Sequence, residues 1–371
     1  MSNKSSKRIA FFSRYLQPGG VEEVTVTLAN RLSERGYRVD ILLAKGKGQL
    51  AKNVSREVDL VDFSRRRVWK CVFDLKKYID TSRPDSVLSM QDRTSAVLIA
   101  ASLMSSQNPN KVVVDQINLL EYIKGLDKVY GIGVRALVKI FYPFADVVVG
   151  VSHGVIEDTK RLVGLPESKT RVIHNPVVSE KLYKDARVDP ENPWLHSDTV
   201  KVILGVGRLH PQKNFPLLVR AFGKAYEENQ NLRLIILGEG SHRSEIESTI
   251  TRLGLSDVVR LPGFVSNPYS YMARADLFAL SSNYEGFGIV VAEALACGCP
   301  VVSTDCPSGP REILEDGKWG TLVPVGDEKA LSDAMKESLD QEHDRQAYRE
   351  RGAMFSVEHS VDDYERVLFP E

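Results

Sequence analysis

Cysteine is scarce in this chain. The 371 residues hold four, Cys71, Cys297, Cys299 and Cys306, and no C-x-x-C pair. That spacing argues against a disulfide framework and a cysteine-built zinc site, so a reduced, cytosolic protein is expected. Long apolar runs are also missing: nothing approaches the roughly eighteen residues a membrane-spanning helix needs. The start, MSNKSSKRIAFFS, has an apolar run of only four residues, too short for a secretory signal. A cytoplasmic chain is expected, peripheral on the inner face of a membrane if it meets one. Net charge is zero, with 49 basic and 49 acidic residues, but the balance is uneven. The first 175 residues carry ten more basic than acidic side chains, and the remainder the reverse. A basic half points to an anionic partner. No nucleic-acid module is recognisable, which favours an anionic membrane face or a phosphorylated acceptor over nucleic acid.

An apolar content of 43% and a charged content of 26% suit a soluble globular protein, and the length calls for two domains. Continuous apolar stretches alternate with helical patterns: RIAFFS, a helix over 21–35, RVDILLA, SVLSM, SAVLIAASLM, VVVDQ, a partly helical segment over 119–144, DVVVGVS and GVIEDTKRLVG. RVIHNPV reads as a strand ending at Asn175-Pro176, and the polar stretch 184–198 as a linker or surface loop. The alternation restarts at VKVILGVGRL and runs to a helix over 328–340, and VEHSVDDYERVL forms a last helix. Strand–helix alternation with strands apolar on both faces predicts parallel, doubly wound sheets. The expected fold is α/β, two Rossmann-like domains facing each other across a cleft. The expected boundaries are 1–183 and 184–354, with the helix at about 355–371 returning to the amino domain.

The most informative stretch is SNYEGFGIVVAEALACGC, residues 282–299. Gly286, Phe287, Gly288 and Ile289 open a helix, where N–H groups and the helix dipole favour phosphate. Glu285 and Glu293 flank that start, and eight residues of continuous helix between them would rise ~12 Å, the reach from a hexose to a ribose across a diphosphate. Earlier, Arg208 and Lys213 follow a strand whose glycines Gly205 and Gly207 permit close approach. Arg brings a planar fork to phosphate oxygens and Lys a mobile point charge.

GVGRLHPQKN at 205–214, LGEG at 237–240, LPGF at 261–264 and the E-x7-E pair occur in that order after RVIHNPV. In this the chain resembles the family 4 retaining glycosyltransferases of GT-B fold. The resemblance implies transfer of a hexosyl or N-acetylhexosaminyl group from a nucleotide sugar, UDP-linked ahead of GDP-linked. The implied acceptor is a glycan or lipid-linked glycan of cell-surface polysaccharide synthesis. It implies that Arg208 and Lys213 bind the donor diphosphate, that Glu285 grips sugar hydroxyls and that Glu293 holds the ribose. Val265 would offer backbone to the base, and Gly19 and Gly20 would form the amino-domain glycine loop, a donor-binding element that closes over the diphosphate or acceptor. Glu285 also invites reading as a nucleophile, but the resemblance implies front-face transfer in which it positions and stabilises.

Many relatives carry a histidine after the strand matching VVVDQ. Here Asp115-Gln116-Ile117-Asn118 stands instead, with Asn118 able to reach a sugar hydroxyl. His153, His174 and His210 are expected to be structural. No D-x-D pair occurs, so no metal and no other cofactor are expected. Arg65-Arg66-Arg67 with Lys70, and the stretch from Lys124 to Lys139, are candidate contacts with anionic lipid. Two other classes fit the architecture: a nucleotide-sugar epimerase, and a non-catalytic nucleotide-sugar sensor.

Overall fold

The computed structural model describes residues 4–370. The chain divides into two units, one of residues 1–176 with 357–371 and one of residues 177–356. In the first unit the elements are β1 (Arg8–Ser13), α1 (Gly20–Glu34), β2 (Arg38–Leu43), β3 (Val58–Asp62), α2 (Val72–Ser82), β4 (Ser86–Ser89), α3 (Asp92–Met104), β5 (Asn110–Asp115), α4 (Leu119–Lys124), α5 (Lys128–Phe141), β6 (Val147–Gly150), α6 (His153–Val163) and β7 (Thr170–Val172). The strands form one parallel sheet in the order β3-β2-β1-β4-β5-β6-β7. Helices cover both faces, which is why β1, β2, β4 and β5 are apolar without alternation and almost wholly buried.

The second unit repeats the plan. It contains α7 (Glu180–Ala186), β8 (Lys201–Val206), α8 (Phe215–Glu228), β9 (Leu232–Leu237), α9 (Arg243–Arg252), β10 (Val259–Gly263), α10 (Pro268–Arg274), β11 (Leu277–Leu280), α11 (Ile289–Ala296), β12 (Val301–Thr304), α12 (Pro310–Ile313), β13 (Thr321–Val323), α13 (Glu328–Leu339) and α14 (Arg345–Ala353). Its parallel sheet runs β10-β9-β8-β11-β12-β13. In each sheet the first strand of the unit sits centrally, and the strand order reverses there. Ligands of open α/β sheets bind beyond the carboxyl ends of strands at such a reversal. The reversals lie between β1 and β4 and between β8 and β11.

The last helix, α15 (Val357–Leu368), belongs to the first unit. Arg35, just after α1, bonds Glu358 and Asp362 of α15, Asn110 Nδ2 donates to the Leu368 carbonyl at 3.0 Å, and Phe369 stacks on Tyr37.

Several local expectations give way. The division falls at Pro176 rather than after residue 183, because Val177 and Val178 donate backbone bonds to Phe355 of the second unit and α7 packs on α10. RVIHNPV is strand only as far as Val172. Residues 184–198 are packed within the second unit: Asn267 Nδ2 bonds the Asp185 carbonyl, Leu195 is buried, and the Trp194 ring has the Arg233 and Arg260 guanidinium groups beside it. Strands β3 and β13 and helices α2, α10 and α14 are additions that the sequence pattern left blank.

Candidate active site

Two loops meet beyond the carboxyl ends of β8 and β11. The first, residues 207–214, carries Arg208 and Lys213; the second, residues 281–288, carries Glu285. They are stitched together by polar bonds. Gln212 Nε2 donates to the Tyr284 carbonyl at 2.9 Å and Asn283 N to the Gln212 carbonyl at 2.8 Å. Asn283 Nδ2 donates to the Pro211 carbonyl at 3.0 Å, and Ser281 Oγ to the Lys213 carbonyl at 2.8 Å. Asn214 takes the left-handed conformation, φ 47°, that turns the first loop into α8.

At the centre of this lattice Lys213 Nζ lies 2.6 Å from Glu285 Oε1. Ser282 Oγ donates to the same oxygen at 2.6 Å. The side chains of Lys213 and Glu285 are only 14% and 8% exposed. Two charges so far from water are tolerable because each neutralises the other and the hydroxyl supplies a further bond. The buried Cys306 thiol beside them is pushed up, first by burial and then by the Glu285 charge. Arg208 is exposed, with no ion-pair partner among the described residues. Its charge, behind burial and ahead of His242, lowers the pKa of His210. The site thus presents one held cation and one unpaired cation.

The LGEG sequence acquires a physical reason. Gly238 N bonds the Gly263 carbonyl, and Leu209 N bonds the Glu239 carbonyl, so the loop after β9 runs against the loop after β8. A Cβ on Gly238 would stand 1.9 Å from the Gly207 carbonyl oxygen, and one on Gly240 would stand 2.3 Å from that of Leu209. Only glycine allows that approach.

Helix α11 begins at Ile289, with Gly288 at φ 89° as its cap. Glu285 therefore lies on the preceding turn, and the 12 Å rise expected for eight continuous helical residues does not apply. Gly286, Phe287 and Gly288 form the turn that enters α11. Phe287 is buried edge-on to Phe355, with ring centroids 5.3 Å apart, so its side chain anchors the turn and its backbone alone borders the site. The loop 307–310 closes behind: Pro307 O accepts from Glu285 N, and a Cβ on Gly309 would stand 2.0 Å from the Phe287 carbonyl oxygen. Glu293 is half-buried one turn into α11 and accepts from Tyr269 Oη at 3.1 Å. Val265 lies half-buried between β10 and α10, at the same sheet edge. Ser282, Gln212, Asn283 and Tyr269 are the members of this site that sequence reasoning passed over.

The remaining candidates are in the first unit. Gly19 and Gly20 enter α1 after β1, at that sheet's own reversal. Asn118 is 2% exposed, and its Oδ1 accepts from Glu121 N at 3.0 Å, capping α4. Its neighbour Asp115 is buried with Tyr142 Oη at 2.7 Å and Thr159 Oγ1 at 2.6 Å, and burial raises its pKa to about 6. Among the described residues no group of three or more His, Cys, Asp or Glu is gathered as a metal site.

Comparison with known proteins agrees in both halves. The family described as Glycosyltransferase Family 4 matches residues 18–181, and that described as Glycosyl transferases group 1 matches residues 190–354. The chain belongs to the family 4 glycosyltransferases of GT-B fold. Among curated relatives of this glycosyltransferase is a Campylobacter jejuni enzyme named as the 4-alpha-N-acetylgalactosaminyltransferase of N-acetylgalactosamine-N,N'-diacetylbacillosaminyl-diphospho-undecaprenol. It is 29% identical over 93% of each chain. The lipopolysaccharide core biosynthesis glycosyltransferase LpsE of Rhizobium meliloti is 26% identical over 94% of this chain and 96% of its own. Among solved structures, Anabaena HepE in complex with UDP and glucose superposes with a TM-score of 0.79 at 21% identity, covering 98% of this chain and 99% of that one.

Proposed function

We propose that this glycosyltransferase moves a hexosyl or N-acetylhexosaminyl group from a UDP-sugar to a lipid-linked glycan, with retention at the anomeric carbon. The observation that carries the reading is the Lys213–Glu285 pair, at 2.6 Å, beside the unpaired Arg208 at the β8/β11 reversal. Lys213 and Arg208 meet the donor diphosphate, with the backbone from Gly286 to Ile289 and the Gly207 turn closing on it. Glu285 holds Lys213 in place and accepts from donor-sugar hydroxyls. Glu293 takes the ribose hydroxyls together with Tyr269, and the Val265 backbone borders the base. Gly19, Gly20 and Asn118 of the first unit are further donor-binding candidates, as the resemblance implies, with Asn118 also capping α4. The named acceptor of the Campylobacter relative, a diphospho-undecaprenol, supports a lipid-linked substrate here and hence a cytoplasmic enzyme working at an anionic membrane surface.

In the transfer, the acceptor oxygen bonds the anomeric carbon as the bond from that carbon to the leaving phosphate breaks. The acceptor proton passes to a phosphate oxygen. Lys213 and Arg208 stabilise the charge that gathers on the leaving diphosphate, an effect worth more in the transition state than in the ground state. Cations and helix N–H groups take the role a bridging metal holds elsewhere, and no cofactor is assigned. GDP-sugars are the competing donor class.

The test is a panel of UDP- and GDP-sugars incubated with and without undecaprenyl-diphosphate-linked acceptors, following free nucleoside diphosphate. Acceptor-dependent UDP release supports the reading. An isomerised sugar nucleotide formed without acceptor would replace it with an epimerase, and binding with no turnover would replace it with a sensor.

A further inference from the structure

Gln212 is the point at which the two loops of the candidate site are fastened. Its Nε2 donates to the Tyr284 carbonyl at 2.9 Å, and its own carbonyl accepts from Asn283 N at 2.8 Å. Its remaining group, the backbone N–H, donates to His210 Nδ1 at 3.3 Å. His210, in extended conformation, thereby caps the single 3₁₀ turn Pro211–Lys213, and its carbonyl accepts from Lys213 N at 2.9 Å. One residue thus holds both Gln212 and Lys213, the first through its ring and the second through its backbone. A neutral imidazole that accepts at Nδ1 carries its proton on Nε2, whereas a protonated imidazole has no acceptor left. The cap exists only while His210 is neutral.

The surroundings favour that neutral form. Arg208, two residues earlier, is an exposed cation, and the ring of His242, from the turn before α9, lies 6.4 Å from the His210 ring between centroids. Burial first, then Arg208 and His242, hold His210 below the ordinary histidine value. The carboxylates of the neighbouring elements are engaged elsewhere: Glu285 by Lys213, Glu245 by His242 Nδ1 at 3.0 Å, and Glu239 and Glu247 by Arg243. None of them pairs with His210. We infer that His210 is a positioning residue for glycosyl transfer: its neutral ring holds the Lys213 loop in the shape that meets the donor diphosphate, and protonation releases that loop. A cationic His210 touching the diphosphate would act with the opposite sign, attracting the donor at acid pH. The Gln212 bond and the two neighbouring cationic or protonatable groups favour the cap. The inference rests on the donor reading proposed above and adds to it a residue and a pH limit.

The full chain, His210→Asn and His210→Ala are titrated with UDP by calorimetry at about pH 7.5 and about pH 5, on either side of the histidine range. Asparagine is a preferred cap that does not titrate, so it preserves the bond at both pH values. His210→Asn should match the wild type at the higher pH and bind UDP about two- to fivefold more tightly than the wild type at the lower one. His210→Ala should bind about fivefold more weakly than His210→Asn at both. The terminal phosphate of UDP itself titrates near about pH 6, so the ratios between proteins are read rather than the raw slopes. All three should remain folded, since the His210 ring is exposed. Three results would overturn the inference: a wild-type to His210→Asn ratio that does not change with pH, equal affinities of His210→Ala and His210→Asn, or a wild type that gains on His210→Asn at the lower pH. The last would make His210 a direct phosphate contact. In each of these UDP still binds, so the donor reading stands. No UDP binding by the wild type at either pH would remove both, and binding without turnover would remove the transferase while leaving the cap.

Discussion

The two units share one sheet topology and differ at the point where it reverses. In the second unit the loops after β8 and β11 are eight residues each, cross-bonded, and hold a lysine against a glutamate with a free arginine beside them. In the first unit the loop after β4 is only Met90 and Gln91. There, Gln91 Nε2 donates to the buried carboxylate of Glu22 at 3.0 Å, and Gly19 and Gly20 form the turn into α1. The local charge at each reversal is opposite to the charge of the half that contains it: the basic half presents Glu22 and Glu23, and the acidic half presents Arg208 and Lys213. Net charge therefore says little about which unit takes the phosphate. On the proposed reading, the side chains on the two loops of the second unit take it.

The largest expected effect is on turnover. Lys213→Ala and Arg208→Ala should each lower kcat about a hundredfold or more while weakening UDP binding by only about tenfold. Glu22→Gln, at the corresponding place in the first unit, should leave UDP binding unchanged. Steady-state kinetics with calorimetry separates the two outcomes, and equal losses in kcat and affinity would remove the transition-state role.

Next comes the stability of the held pair. Glu285→Ala leaves the Lys213 ammonium nearly buried without its carboxylate and should cost about 3 kcal/mol in denaturant unfolding. Glu285→Gln retains the bond to Lys213 and should cost distinctly less. A cost below about 1 kcal/mol for Glu285→Ala would mean that the pair is already open to water in solution.

The glycines give a comparison of similar size. Gly238→Ala forces its Cβ against a carbonyl oxygen and should cost about 2–4 kcal/mol and loosen the loop that bears Arg208. Gly19→Ala meets only the end of the Glu22 side chain, which can swing aside, and should cost under about 1 kcal/mol. Melting curves of the two variants would check this, and equal destabilisation would contradict it.

A smaller effect belongs to Asp115. Its pKa in the folded chain, about 6, lies above the ordinary carboxylate value, so the folded state binds the proton more tightly than the unfolded one. Its contribution to stability is then greatest below about pH 4 and is lost as pH rises through about 6. Unfolding free energies at pH 5 and pH 7 should differ, through this group, by on the order of 1 kcal/mol, a difference that Asp115→Asn should abolish. An identical difference in the variant would assign the effect elsewhere.

Much of this was legible before the fold. Strands such as VVVD and LRLIIL are largely buried on both faces and announce themselves as mostly apolar runs. VDLVD in β3 is half polar, TLV in β13 is three residues long, and α14 is polar nearly all round with Gly352 pressed on Ala296, so none carried a periodic signal. Arg208, Lys213, Glu285 and Glu293 were legible as family motif positions. The pairing of Lys213 with Glu285 was not, because it depends on β8 lying beside β11, and nothing in a 72-residue separation encodes that adjacency. The cap at Asn118 could have been read from its spacing to Glu121, the pattern of a capping box. The E-x7-E spacing misled because it took a turn capped by Gly288 for the first turn of helix.

The most direct test of the central claim, that the paired loops of the second unit hold the donor diphosphate, is calorimetric titration of UDP into the wild type, Lys213→Ala and Glu22→Gln. Affinity falling about tenfold in Lys213→Ala and holding in Glu22→Gln is the expected result. Undiminished affinity in Lys213→Ala, with affinity lost in Glu22→Gln, would contradict it.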